Sequence, residues 1–183
     1  MLTFRRPTGE VLTDADTRLS QLELNGRPPG KTRMTSETIG WGHKRFEKAK
    51  VAIRHLEQFD LPGTFVSGSS RAQVGARYWV HAHRLALWTS APIEVVRFEE
   101  QERRVALGIL TLESHPLAGI EEFVLEMHDN GVVTMTISAQ AEPALAWSRL
   151  IRPGIRIFQA RFRRAAIRRV RNASARVLPQ VVN

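Results

Sequence analysis

Apolar and polar side chains alternate through Phe123, Leu125 and Met127 and again through Val133, Met135 and Ile137, with Asp129-Asn130-Gly131 between the two runs. A period of two marks strands with one buried face, and Asn-Gly supplies the positive-φ positions of a tight turn, so 121–139 reads as a β-hairpin. Thr32 to Ile39, Ala76 to Arg84, Ile93 to Glu100 and Arg104 to Leu112 read as further strands. The last is apolar on both faces, which places it in the middle of a sheet. Elsewhere the period changes. From His43 to Gln58, Phe46, Ala49, Ile53 and Leu56 recur at helical spacing, after a Gly40-Trp41-Gly42 turn and before a Leu61-Pro62-Gly63 stop, and Gly68-Ser69-Ser70 reads as a loop. Beyond Ala144 the helical period returns as Ile151, Ile155, Phe158, Phe162 and Ala165, with Pro153 in a first-turn position.

Strand, helix, a run of antiparallel strands and a long amphipathic C-terminal helix define an α+β class. A curved sheet with one apolar face gripping that helix buries both stripes at once, the helix-grip arrangement of START-like and Bet v 1-like proteins. A cystatin-like or plain two-layer sandwich is the alternative. Residues 1–30 read as an N-terminal arm in which Thr13 or Asp14 caps a short helix. Residues 31–171 form a single domain, and 172–183, where periodicity fades, a flexible tail.

Charge sharpens the picture at one place. The net charge is +9, but ten arginines and no acid or lysine lie between Arg149 and Arg176, which leaves the preceding residues near neutrality. Set opposite the apolar stripe at 100° per residue, Arg156, Arg163, Arg164, Arg168 and Arg171 form a cationic face, and only Arg169 turns back toward the stripe. Such a face is expected to meet phosphate, on an anionic lipid surface or on nucleic acid. With 183 residues of ordinary globular composition the chain needs no disulfide, and its lack of cysteine excludes a Cys nucleophile and a Cys-ligated metal. No apolar run is long enough for a signal core or a bilayer span, so a cytoplasmic location is expected.

Candidate chemistry is sparse. His81 and His83 project from one strand face beside Trp79, but no third ligand can be assigned, and no metal is expected. The Gly40-Trp41-Gly42 turn is too short for a phosphate loop, no dinucleotide fingerprint is present, and no cofactor is expected. His115, Glu121 and Glu122 are the acid–base candidates. An imidazole beside a carboxylate suits a general base, whereas His115-Pro116 also reads as turn chemistry between two strands. Trp79, Phe123, Leu125, Met135, Ile137, Phe158 and Phe162 are the residues expected to line a cavity between sheet and helix.

Several strings resemble one family. Ile39-Gly40-Trp41-Gly42-His43, then Phe46-Glu47-Lys48-Ala49-Lys50, Pro92-Ile93-Glu94-Val95-Val96, and above all Thr111 to Gly119 running on into Glu121, Glu122 and Phe123, are similar to the bacterial and plant family named domain of unknown function nineteen-ninety. The resemblance covers about Pro28 to Arg171. It implies a helix-grip type of α+β domain and carries no reaction, cofactor or catalytic residue. Leu110 and Ser114 stand where the family tends to have Gly, and Ile120 where it has an acid, which implies a tighter and less acidic loop. The leading expectation is a protein that binds a small apolar or amphipathic molecule between sheet and C-terminal helix. Binding of an anionic membrane or nucleic acid through the arginine face, and an enzyme built on His115 and Glu121, are the alternatives.

Overall fold

Strand alternation and two amphipathic helices assemble into one antiparallel sheet wrapped around a helical layer. The computed structural model describes residues 2–3, 31–84, 87–112, 115–144, 148 and 152–176. Its elements are β1 (Leu2–Thr3), β2 (Arg33–Trp41), α1 (His43–Arg54), a 3-10 turn (Glu57–Phe59), β3 (Thr64–Gly68), β4 (Arg77–Arg84), β5 (Leu87–Glu100), β6 (Arg104–Thr111), β7 (Leu117–Met127), β8 (Val132–Pro143) and α2 (Arg152–Ala175). The strands run in the order β2-β8-β7-β6-β5-β4-β3, with β1 paired to β5. β6 is fourth of the seven, the central place its two apolar faces predict.

The inner face carries the core. Phe123, Leu125, Val133, Met135, Ile137, Val105 and Leu107 are fully buried beneath Phe46, Ala49 and Ile53 of α1 and Ala166, Ile167 and Val170 of α2. Phe59 of the 3-10 turn joins the two layers, edge-on to Phe123 at 5.6 Å and stacked on Phe162 at 5.8 Å.

Several elements differ from the expectation. The first helix stops at Arg54 rather than Gln58, because Leu56 takes a left-handed conformation (φ 56°) that turns the chain into the 3-10 turn. Residues 64–68 form a strand that the turn-rich composition around Gly68 conceals. β5 starts at Leu87, β7 at Leu117, and β8 runs to Pro143, so all three are longer than their alternating cores. The C-terminal helix continues past Arg171 to Ala175, where Ser174 is buried. That part of the expected flexible tail is ordered helix, while 177–183 and the expected cap at Thr13 or Asp14 lie outside the described residues.

The end of α2 is held by α1. The Arg45 Nη1 donates to the Arg171 carbonyl at 3.1 Å and to Ser174 Oγ at 3.2 Å, and the Lys48 ammonium donates to the Arg176 carbonyl. Cations at a helix C-terminus satisfy its free carbonyls and oppose its dipole. Arg45 reaches this position by lying across Gly40, where a Cβ would meet its Nε at 2.3 Å, so the glycine of the turn is required by close approach.

Candidate functional site

The sheet is not filled evenly. Toward the Asp129–Gly131 turn the inner positions are large, but toward the other end they shrink to Ala82, Thr89, Ala91, Thr111, Gly119, Ala139 and Ala141. Small side chains beneath the covering helix leave space. A cavity of about 380 Å³ opens there, roofed by Gly154, Ile155, Phe158, Gln159 and Phe162 in the first half of α2. Its volume falls within the range of about 300–1,000 Å³ usual for small-molecule sites.

The polar groups on this wall are few. Glu121 lies on the inner face of β7, beside its register partners Ile109 and Ala139. Among the described residues it accepts no hydrogen bond and has no cation within 4 Å. Burial pushes its carboxyl up to about 7, against the pull of the Arg163 guanidinium. Arg163 is 5% exposed, donates from Nε to Thr35 Oγ1 at 3.2 Å, and leaves Nη1 without a partner. Burial lowers the Arg163 pKa, and the Glu121 charge opposes that effect.

His115 also lines the cavity. Its Nδ1 lies 2.9 Å from the Leu117 N–H and 2.8 Å from the Leu117 carbonyl, the turn role that the His-Pro sequence allows. Burial pushes the imidazole down to about 4, so it is neutral at physiological pH. His115 and Glu121 therefore share one wall, but no nucleophile stands between them among the described residues. Glu122 points to the outer face, where Arg97 pairs with it at 2.7 Å. Ser114 lies outside the described residues.

The expected cavity residues divide. Phe158 and Phe162 form part of the wall, whereas Phe123, Leu125, Met135 and Ile137 are fully buried in the packed half of the core, away from it. Trp79 is on the outer face, because Tyr78, Val80 and Ala82 are the inward residues of β4. His81 shares that outer face and is buried. Its Nδ1 meets Ser90 Oγ and its Nε2 meets Ser67 Oγ, each at 2.9 Å, with Phe65 stacked at 4.5 Å. Burial holds this ring down to about 4 as well, while His83 is exposed and stacks on Trp88. Among the described residues no group of His, Asp or Glu is arranged to hold a metal.

The arginine face divides too. Arg156, Arg164 and Arg168 are exposed, as is Arg161, but Arg163 is buried and Arg171 pairs with Glu37 at 2.7 Å. Arg169 turns inward as the wheel predicts, bridging Glu57 at 2.9 Å and Asp60 at 2.6 Å. The wheel fails at Arg163 and Arg171 because the second half of α2 wedges against α1 and β2, which turns its buried side about a quarter of the way round the helix.

Comparison with known proteins joins these features to a family. The model of the family described as domain of unknown function (DUF1990) matches residues 18–169. The chain belongs to that family. A curated relative, UPF0548 protein At2g17695 of Arabidopsis thaliana, is 28% identical over 132 residues, which are 69% of this chain. The match spans 64% of that relative's length. Among solved structures, a hypothetical protein from Helicobacter pylori superposes with a TM-score of 0.60 at 12% identity, covering 78% of this chain and 86% of that one. The Zhui aromatase/cyclase from Streptomyces gives 0.59 at 11% identity, covering 79% and 93%. At such identities these likenesses establish the fold, and this chain has a helix-grip-like fold, a curved antiparallel sheet with a long C-terminal helix.

Proposed function

We propose that this DUF1990 protein binds a small, largely apolar molecule in the cavity between its sheet and the first half of α2. The observation that carries the reading is the cavity itself. It is lined by alanines, isoleucines and phenylalanines, with one free carboxyl and a few hydroxyl and amide groups to orient an occupant. Seating an apolar molecule against this wall removes apolar surface from water, worth about 25 cal/mol per Å². The wall holds no activated nucleophile among the described residues, so binding is a better account of the site than covalent catalysis. Native mass spectrometry of freshly purified protein, with amide NMR titration of an apolar aromatic probe, tests it. Shifts are expected at Ala82, Ala91, Ala141 and Phe162, and Ala91→Phe, which fills the space, should abolish them while the fold persists. No co-purifying molecule and no probe-induced shift at these positions would remove the reading.

A second reading rests on α2. Ile157 is 57% exposed and Phe158 46% exposed at the start of the cationic stripe formed by Arg161, Arg164 and Arg168. Apolar side chains beside arginines suit the interface of an anionic bilayer better than nucleic acid, which would leave Ile157 in water. No helix among the described residues is long and apolar enough to cross a membrane, so the contact would be peripheral.

A further inference from the structure

Glu121 is the sole acid on the cavity wall among the described residues, and none of those residues donates a hydrogen bond to it. An ionised carboxylate left without a donor in such a place is costly, so an occupant that supplies one is selected. We infer that the ligand of this cavity, given the binding reading above, is a neutral apolar molecule bearing a hydroxyl group, an alcohol or phenol, whose O–H donates to the Glu121 carboxylate.

The surrounding charges narrow the class. Arg163 lies behind the wall rather than on it, already short of one hydrogen-bond partner. An ammonium at Glu121 would compete with the buried Arg163 guanidinium for the Glu121 charge that offsets its burial. A carboxylate would set two acids together with no cation on the wall to hold them. A ketone offers only an acceptor, so it pairs with the protonated carboxyl and loses that bond as pH rises past about 7, where the carboxylate prevails. A hydroxyl donates to Glu121 while its oxygen remains free to accept a hydrogen bond, and Gln159 of the α2 roof is a cavity-lining residue with an amide donor.

This pairing makes affinity depend on pH. The charge that acts on Glu121 is that of Arg163 of α2, whose own charged form is opposed by Arg33 of β2 and by Arg164; His115 of the β6–β7 loop, the other titratable group on the wall among the described residues, is neutral. Donation to the ionised carboxylate lowers its pKa in the complex, so binding releases a proton below neutrality and tightens as pH rises toward 7.

The experiment compares naphthalene methanol with methylnaphthalene, acetonaphthone, naphthylmethylamine and naphthoate by calorimetry, at about pH 5.5 and about pH 8. Naphthalene methanol is expected to bind about tenfold more tightly than methylnaphthalene at the higher pH, with the advantage shrinking at the lower one and proton release visible as a dependence on buffer ionisation enthalpy. In Glu121→Gln the pH dependence should vanish, and in Glu121→Leu the alcohol should bind no better than the hydrocarbon. Tightest binding by the amine, the ketone or the carboxylate overturns the inference while leaving cavity binding intact. So does an alcohol preference that both variants retain. Should either variant fail to fold, the wild-type pH profile and proton count decide alone. If no probe binds, the cavity reading falls and this inference with it.

Discussion

At the scale of single residues the core contains polar groups whose protonation and pairing set stability. The amide of Gln58 is fully buried, and neither its nitrogen nor its oxygen has a partner among the described residues. Gln58→Met keeps the volume and removes the unpaired groups, so it is expected to stabilise the protein by about 1–2 kcal/mol in chemical denaturation. Unchanged or lower stability would mean that a buried water completes the amide. The titratable groups act in opposite directions. His81 and His115 have folded pKa values of about 4 against an ordinary 6.5, so the unfolded chain binds more protons between those limits and stability rises with pH across them. Glu121, at about 7 against 4.5, keeps its proton in the folded chain where the unfolded chain has lost it, so it reduces stability as pH rises from 4.5 to 7. With two groups against one, stability should climb to about pH 6.5 and then dip slightly. Glu121→Gln removes the opposing contribution, and its melting temperature should climb more steeply and exceed that of the wild type above pH 7, by the equivalent of about 3 kcal/mol. A variant profile parallel to the wild type would show that Glu121 titrates normally.

At the scale of elements, long-range packing decides what the sequence alone left open. The hairpin at 121–139, the central β6 and both helices were legible because each has a strong period and clear turn signals. The cavity was not, because its floor is made by Leu117 and Gly119, Ala139 and Ala141, and Thr89 and Ala91, toward the ends of strands where alternation is weak and side chains are small. The large residues Phe123, Leu125, Met135 and Ile137 gave the clearest pattern because they fill the closed half. The step from large to small inner residues along β7 and β8 was the available signal. Helix ends show the same dependence on distant partners, since Arg45 can cap α2 only because Gly40 makes room for it. Gly40→Ala and Arg45→Ala are each expected to lower stability by about 1–2 kcal/mol and to speed amide exchange in the last turn of α2. Because both act through one contact, the double variant should lose less than the sum. Additive losses would separate the glycine from the cap.

At the scale of the whole molecule, the excess of positive charge resolves into two populations on one helix. Arg163, Arg169 and Arg171 are internal ties to Thr35, to Glu57 with Asp60, and to Glu37. Arg156, Arg161, Arg164 and Arg168 remain on the surface, beside Ile157 and the cavity-lining Phe158. Composition revealed the run of arginines, but only the docking of α2 against α1 and β2 separates those that hold the fold from those that face outward. Near an anionic bilayer each surface arginine contributes about 1 kcal/mol, and insertion of Ile157 adds an apolar contribution that salt does not screen. Association with phosphatidylserine vesicles is therefore expected at low salt, weakened but not abolished at physiological ionic strength. Arg164→Glu with Arg168→Glu should eliminate it. Ile157→Asp separates the two anionic partners: vesicle cosedimentation should fall while any gel shift on generic duplex DNA stays nearly as it was, because phosphate contact alone does not use the isoleucine. Equal loss on both partners, or retention of vesicles by the double charge reversal, would count against a lipid-facing helix. Since Phe158 belongs both to that surface and to the roof of the cavity, its burial in a bilayer would bring the cavity mouth to the lipid. An apolar alcohol dissolved in the membrane would then have a path to Glu121 that avoids bulk water. On this account Ile157→Asp should slow uptake of such an alcohol from vesicles without changing its affinity in detergent-free solution.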